Sequence, residues 1–423
     1  MREGRFRVGV AALMAAALIA AGCGSSNDNK SSSSSSSATT GSSTGSTTAP
    51  AGKTPTGTPY KLGIIDDDPT QPESDIYKSA QASAKAVNAA GGVNGRPVTI
   101  EHCGGQVNQN ASAACARKFA ADSSMIATVG NFMANGLGST PILQKAGLAS
   151  VANYATQPED YSCNACFPIG YSSLGGPLGS TTALADTANA KNIGMLFVDV
   201  PAARSYVALI QGALKASGRT AQLTKTVFVP VNTTSYAGVI AQFAAAKVDG
   251  IVLGIPVVMV SAFLRQVAQQ GYDKPLGVSA TASLTALSKL PPAATKNIVL
   301  SSAFHRQGDT YNTIIQAQKD AGDQVGNDEA INAYLAVQLF KKIAQGKPDI
   351  DRRGVTAAAN ALPPFVFEGM TGQIDYAKKQ PFLGGAFARL VPSTWYYKYK
   401  GGTDIEPAVS GDPEFNLFKA PTS

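Results

Sequence analysis

Histidine is nearly absent from this chain: His102 and His305 are the only two among 423 residues. That excludes a paired-histidine zinc helix and any histidine-rich metal centre, and no metal or other cofactor is expected. Charge is also scarce, with Asp, Glu, Lys and Arg making up 15% of the chain. No Lys/Arg cluster carries interleaved aromatics, so nucleic acid is not an expected partner. The apolar run that opens the chain falls short of the roughly 20 residues a membrane-spanning helix needs. What is present, 44% apolar residues, is the composition of a folded protein. At roughly 100–200 residues per domain there is room for two cores.

The N-terminus has the parts of an export signal. Arg2, Arg5 and Arg7 precede an apolar stretch from Val8 to Gly22, which ends Leu18-Ile19-Ala20-Ala21-Gly22-Cys23. A basic head, a short apolar run and small closing residues make a secretory signal. The closing residues resemble the lipobox of bacterial lipoproteins. That likeness implies cleavage after residue 22 and lipidation of Cys23, although Ala20 stands where the family more often has Leu. The expected location is outside the cell membrane, held to its outer face by the lipid. Losing residues 1–22 removes three arginines and one glutamate and lowers the net charge from +7 to +5.

Residues 24–59 are dominated by Ser, Thr and Gly, with seven consecutive serines at Ser31–Ser37. So little apolar surface cannot offset ordering entropy, and a flexible tether is expected, about 30–35 Å in root-mean-square span. From Tyr60 on, short strand-like runs alternate with helical ones. Lys61–Ile65 reads as a buried strand, followed by the acidic run Asp66-Asp67-Asp68. Ile76, Ala80, Ala84 and Val87 recur at helical spacing and Gly91-Gly92 stop that helix. Strands are expected at Val98–Glu101, Met125–Val129, Leu148–Val151 and Cys166–Ile169. A second series runs Ile193–Val198, Gln222–Val229, Gly250–Leu253, Leu276–Val278 and Ile298–Leu300, with helices between several of them. Asp328–Gln345 is a late helix with Ile331, Leu335, Leu339 and Ile343 on one face. Two runs of strand–helix units predict an α/β protein of two lobes, each a parallel sheet flanked by helices. The natural ligand site is the cleft between the strands' carboxyl ends.

Particular segments carry a family likeness. The turn Ala90-Gly91-Gly92-Val93-Asn94-Gly95-Arg96-Pro97-Val98 resembles the first helix–strand turn of type I periplasmic binding proteins, in particular the Leu/Ile/Val-binding family that feeds ABC importers. Phe367-Glu368-Gly369-Met370-Thr371-Gly372-Gln373-Ile374-Asp375 is similar to that family's late Gly-x-Thr-Gly stretch. Ala116-Arg117-Lys118, Val129-Gly130-Asn131, Ala155-Thr156-Gln157-Pro158-Glu159 and Phe263-Leu264-Arg265-Gln266 follow the family order. The resemblance implies a two-lobed Venus flytrap with discontinuous lobes: residues 60–172 plus 303–384, and 173–302 plus 385–423. It also implies hinge closure on a small-molecule solute, delivery to an ABC permease, and a monomer.

The same resemblance locates a ligand site and shows where this chain departs from it. Family members hold a ligand carboxylate with a hydroxyl after the third strand, and an ammonium with a threonine after the fourth strand plus a second-lobe acid. Thr156 matches the threonine. The expected hydroxyl is Ala134, with Asn135 its nearest polar neighbour. Val278–Ser283 contains no carboxylate, and Ile255-Pro256 stands where relatives carry an aromatic. An ammonium closed into a cleft without a partner costs several kcal/mol. An uncharged, aromatic or carboxylate-only solute is therefore expected rather than a simple branched-chain amino acid. Asn131, Phe132, Asn135, Tyr154, Thr156, Thr281 and Phe304 are the residues expected around it. Phe132 reads equally as core packing, Thr156 as a turn cap and Phe304 as hinge. Asp66–Asp68 read as a solvated loop near the cleft mouth, or as a partner for a cation or amine.

Apart from Cys23 there are four cysteines, which allow three pairings. Cys103 with Cys115 would close about 13 residues and stabilise by about 3 kcal/mol; Cys163 with Cys166 would close a tight loop. The latter spacing also suits a redox pair or half a zinc site, but the second ligand pair and the thioredoxin-like setting are missing. No nucleophile with a base and no phosphate loop points to an enzyme. A ligand sensor of the same fold, signalling to a receptor, is the alternative to a transport component.

Overall fold

The computed structural model describes residues 54–67, 74–282, 284–323, 325–378 and 389–421. The export signal, Cys23 and most of the tether lie outside the described residues, as do Asp68 and Ser283.

Every side chain of β1 (Tyr60–Asp66) except Lys61 is buried. A strand with both faces covered must sit inside a sheet layered between helices. The elements that follow make that sheet: α1 (Asp75–Ala89), β2 (Val98–Gly104), α2 (Gln109–Ala121), β3 (Met125–Val129), α3 (Ser139–Lys145), β4 (Ala149–Val151), α4 (Pro158–Ser162) and β5 (Cys166–Phe167). Its five strands run parallel in the order β2-β1-β3-β4-β5. Ser74 caps α1, its side chain accepting from the Tyr77 N–H, which satisfies one of the orphan donors of the first turn.

The second sheet is built from α5 (Ser172–Thr187), β6 (Asn192–Val198), α6 (Pro201–Ala216), β7 (Gln222–Val229), α7 (Ala237–Ala245), β8 (Gly250–Gly254), α8 (Val257–Gln269), β9 (Leu276–Ser279), α9 (Leu284–Ser288), α10 (Pro292–Thr295) and β10 (Ile298–Ser302). The chain then returns to the first sheet as α11 (Gly308–Asp320), α12 (Asp328–Ala344) and α13 (Arg352–Asn360), with a small hairpin of β11 (Phe365–Val366) and β12 (Gln373–Ile374). It ends in the second sheet as β13 (Ser393–Gly401), β14 (Asp404–Pro407) and β15 (Phe415–Asn416). The strand order there is β14-β13-β10-β9-β8-β6-β7, with β15 on β13. Strands β6 to β10 are parallel, as the repeated strand–helix units predict. The β13 strand pairs antiparallel with β10, β14 and β15, so this sheet is mixed rather than purely parallel.

Helix α12 carries the largest part of the first core. Ile331, Leu335, Leu339 and Ile343 are fully buried, as are Ala330, Ala333 and Ala336. Helix α1, whose Ala80 and Ala84 are also buried, packs along α12, and Gln338 Nε2 donates to Ser83 Oγ across that contact. Gly130, just past β3, lets the Ala333 and Ala336 face of α12 come close to the sheet. It has φ +61°, and a Cβ there would stand 2.8 Å from the Ala333 backbone. Both disulfides form, Cys103–Cys115 and Cys163–Cys166, with Cα separations of 5.6 and 5.4 Å. Both fall within the usual range for an unforced bridge.

Between the sheets, where the chain passes from β10 toward α11, lies a buried ion pair. Arg306 and Asp328 are both without exposed side-chain surface, and Arg306 Nη2 donates to Asp328 Oδ1 at 2.7 Å. Asp328 also accepts from the Ser302 hydroxyl, the Ala303 N–H and the Tyr171 hydroxyl. Arg306 donates further to Ser302 Oγ and to the carbonyls of Ala280 and Gly326. Burial works against the guanidinium charge, but Asp328 more than offsets it and the Arg306 pKa stays above its ordinary value. The network ties α5, β10 and α12 together at the crossing.

Candidate functional site

The ladder of the first sheet continues one step beyond its strands. Isolated parallel bridges join Asp66 to Phe132 and Phe132 to Tyr154. The Phe132 N–H donates to Ile65 O at 3.0 Å and the Tyr154 N–H to Asn131 O at 2.8 Å. Neighbours in extended chain face opposite ways, so this register decides which residues meet the cleft. Phe132 and Tyr154 face it, with their rings edge to face at 5.7 Å. Asn131 faces the sheet, where its side chain accepts from the Ile65 N–H and donates to Thr128 Oγ1.

Opposite stand the carboxyl ends of the second sheet's strands: Phe197 and Val198 from β6, Leu253 and Gly254 from β8, Ser279 and Thr281 at and after β9. Gly254 has no room for a side chain, since a Cβ would lie 2.0 Å from the Phe197 ring. The first turns of α5 and α6 and the Ile255-Pro256 entry to α8 close the sides. Together these residues enclose a cavity of about 260 Å³. Tyr206 on α6 spans it, its hydroxyl donating to Thr156 O at 3.3 Å.

Four of the seven residues expected from sequence line this cavity: Phe132, Tyr154, Thr156 and Thr281. Three do not. Asn131 is spent on the sheet. Asn135 is exposed and turns toward the loop after β2, donating from Nδ2 to Val107 O at 3.3 Å. Phe304 is wholly buried in the core behind the cleft. Thr156 is present but committed, because its hydroxyl donates to Met133 O and its N–H to Asp160 Oδ2. The Asp66–Asp67 pair is not a solvated loop. Asp66 accepts from Ser74 Oγ at 2.6 Å, Asp67 accepts from the Asn135 N–H, and both are buried. Burial, relieved in part by backbone donors, raises the Asp67 carboxyl.

Two polar features of the lining decide its chemistry. Tyr154 is 3% exposed and its hydroxyl has no hydrogen-bond partner. Burial foremost, then nearby Tyr171, Glu329 and Asp328, pushes its phenol well above the ordinary value, so it stays a neutral donor. The other feature is Glu329, in the first turn of α12, whose half-buried side chain borders the same cavity. Sequence reasoning missed it by looking for an acid only along the second lobe. The signal was Asn327, which caps α12 by accepting from the Glu329 and Ala330 N–H groups. That cap places the next residues at a helix start facing a cleft.

A family model described as "Periplasmic binding protein" matches residues 59–390. The chain belongs to the periplasmic binding proteins. Solved members of this type share its fold. A fatty acid ABC transporter substrate-binding protein from Thermomonospora curvata superposes with TM-score 0.68 at 15% identity, covering 88% of this chain and 97% of the other. A branched-chain amino acid transporter substrate-binding protein from Streptococcus pneumoniae, in complex with isoleucine, gives 0.66 at 16% identity over 82% and 97%. A leucine-binding protein from Thermotoga maritima gives 0.66 at 12% identity over 84% and 99%. No curated protein is significantly similar in sequence. These are type I periplasmic binding proteins, and the two-sheet α/β architecture of this chain is theirs. Periplasmic binding proteins are extracytoplasmic, and no helix among the described residues is long and apolar enough to cross a membrane.

Proposed function

We propose that this periplasmic binding protein is a non-enzymatic solute carrier. It captures a small, mostly apolar organic solute in the cleft and hands it to an ABC permease. The observation that carries the reading is the cavity itself. Strand ends of both sheets border it, and rings and aliphatic side chains form most of its wall. A solute there touches both sheets only when they are close. Its differential affinity for the closed state is then what populates that state. Relatives of the same fold that bind isoleucine, leucine or fatty acid support an apolar solute body. The lobes are taken as residues 60–172 plus 303–384, and 173–302 plus 385–423.

In the same reading Cys23 is lipidated after removal of residues 1–22, and residues 24–59 tether a monomeric body to the outer face of the membrane. Two measurements test the proposal. A thermal-shift panel of aliphatic and aromatic amino acids, amides, acids and polyols should contain a solute that stabilises the protein. At 100 times its dissociation constant the gain is about 2.7 kcal/mol. Silence across all classes overturns the carrier reading. Substituting Cys23→Ser should move the protein from the membrane fraction to the medium; unchanged fractionation overturns the anchor.

A further inference from the structure

The chain enters its folded body at one pole of the first sheet. Residues 54–59 run along the turn between α1 and β2, where the Thr56 and Gly57 N–H groups donate to Gly95 O and Arg96 Nε donates to Thr58 O at 2.6 Å. Strand β1 then leads to Asp66 at the cleft, and its seven residues span about 20 Å. The chain therefore joins the body at the end of the sheet opposite the cleft. That pole is rich in cations. Strands that end at the cleft oblige the helices between them to end at the pole, and last turns there carry Lys118 in α2, Lys145 in α3, and Lys341 and Lys342 in α12. Cations at helix C-termini answer the helix dipole and need no other reason. The same dipole disfavours Arg352 and Arg353, which stand in the first turn of α13. Arg96 and Lys347 belong to no helix at all.

Part of this charge is cancelled within the fold and part is not. Lys61 and Lys118 are matched by Glu101 and Asp122. Arg96 instead donates to the carbonyls of Thr58 and Pro348, and Arg352 to those of Ala120, Asp122 and Ala146. Carbonyls hold a guanidinium in place without removing its charge, and these bonds join the turn after α1, the ends of α2 and α3 and the start of α13 into one surface. Lys145, Lys347 and Arg353 are exposed on it. The acids beside them are Asp349 and Asp351, the second of which caps α13. Resting on the anchor reading above, we propose that this basic pole docks on anionic lipid headgroups, so that the tethered body sits with its cleft facing away from the membrane. The point of attachment decides the partner. A tether of about 30–35 Å root-mean-square span holds the pole near the headgroups at high effective concentration. Each exposed cation is then attracted within a screening length of about 10 Å at 0.1 M salt. The far end of the second lobe has exposed lysines too, Lys215, Lys289 and Lys296, but the chain does not enter there.

Residues 51–423 form one compact unit that holds both main cores, so the pole can be tested without the anchor. Co-sedimentation compares vesicles of phosphatidylcholine alone with vesicles containing about 30% phosphatidylglycerol. The expected result is at least about tenfold stronger partition onto the anionic vesicles at low salt, lost at about 1 M salt, where the screening length is about 3 Å. Lys145→Glu, Lys347→Glu and Arg353→Glu together should remove most of that preference without lowering the melting temperature. Lys215→Glu, Lys289→Glu and Lys296→Glu change the net charge equally at the other end and should leave most of the preference in place. Equal losses from the two triple variants, or a larger loss from the second, overturn the proposal. Binding to soluble polyphosphate without binding to vesicles assigns the pole to another polyanion and also overturns it. No preference for anionic vesicles removes the docking surface and leaves the anchor reading standing, since fractionation of Cys23→Ser tests that separately.

Discussion

Asp328 and Glu329 are adjacent in sequence and stand in different surroundings. Asp328 is wholly buried at the crossing between the sheets, where a guanidinium, two hydroxyls and a backbone N–H fill its lone pairs. Glu329 is half-exposed on the wall of a cavity whose other polar landmark, the Tyr154 hydroxyl, has no partner at all. The Asp328 carboxylate is saturated without a ligand, and the Tyr154 hydroxyl is not. Most buried polar groups in folded proteins are hydrogen-bonded, since an unpaired one costs its full desolvation. The Tyr154 shortfall lies on a cavity wall, where a bound ligand can supply the missing partner.

The largest effect should come from breaking the complete region. Asp328→Ala strands the Arg306 charge in the interior, and the expected loss is about 3–5 kcal/mol in urea unfolding. Glu329→Gln, one residue on, should cost clearly less, because Glu329 is only half-buried and its neutral amide keeps the side chain's size. Similar losses for the two would erase the distinction between crossing and cleft.

A third acid sharpens the comparison from the other side. Asp323, in the connection between α11 and α12, is buried, and neither of its oxygens finds a hydrogen bond; Lys78 Nζ is 3.8 Å away. Burial, with Asp75 adding repulsion and Lys78 relieving part of it, lifts this carboxyl to about 7. The folded protein therefore keeps a proton that the unfolded chain releases near pH 4. That contribution to stability is whole below pH 4 and is lost as pH rises toward 7. Asp323→Asn should flatten this fall and raise stability at pH 7.5, by on the order of 1–2 kcal/mol. A variant that is less stable than the parent at pH 7.5 would show that the Asp323 charge is paired after all.

Much of this architecture was legible in the chain. The buried strand at Lys61–Ile65 and the apolar face of Ile331, Leu335, Leu339 and Ile343 follow from spacing, while the local pairing of Cys103 with Cys115 was one of three that four cysteines allow. Strand–helix alternation was enough to put the site at strand ends, and the family resemblance then pointed to Phe132, Tyr154, Thr156 and Thr281. Spacing does not give the facing of residues just beyond a strand. Asn131 and Phe132 differ by one position, and only the bridge to Tyr154 settles which of them meets the cleft. Phe304 follows a strand end too, but one covered by packed chain, with Gly170 beside it. The late strand β13, rich in Trp and Tyr, joins by antiparallel pairing, which the alternation rule does not anticipate. Glu329 reaches the cavity from a helix that packs on the first sheet; the Asn327 cap marks that helix start, and the cleft it borders is set by long-range packing.

The smallest effect is the most diagnostic. Tyr154→Phe removes one oxygen atom from a ring that is otherwise well packed against Phe132. Were that hydroxyl part of the fold's own bonding, its loss would leave a buried partner unsatisfied and destabilise by about 1–3 kcal/mol. Since it has no partner, the unliganded variant should be as stable as the parent or more stable, by up to about 1 kcal/mol. Binding of a solute that stabilises the parent should weaken several-fold. Thermal unfolding with and without that solute reads both quantities in one experiment. A variant that loses stability with its affinity intact would place the Tyr154 hydroxyl with Asp328 on the structural side of the comparison, not with the cleft.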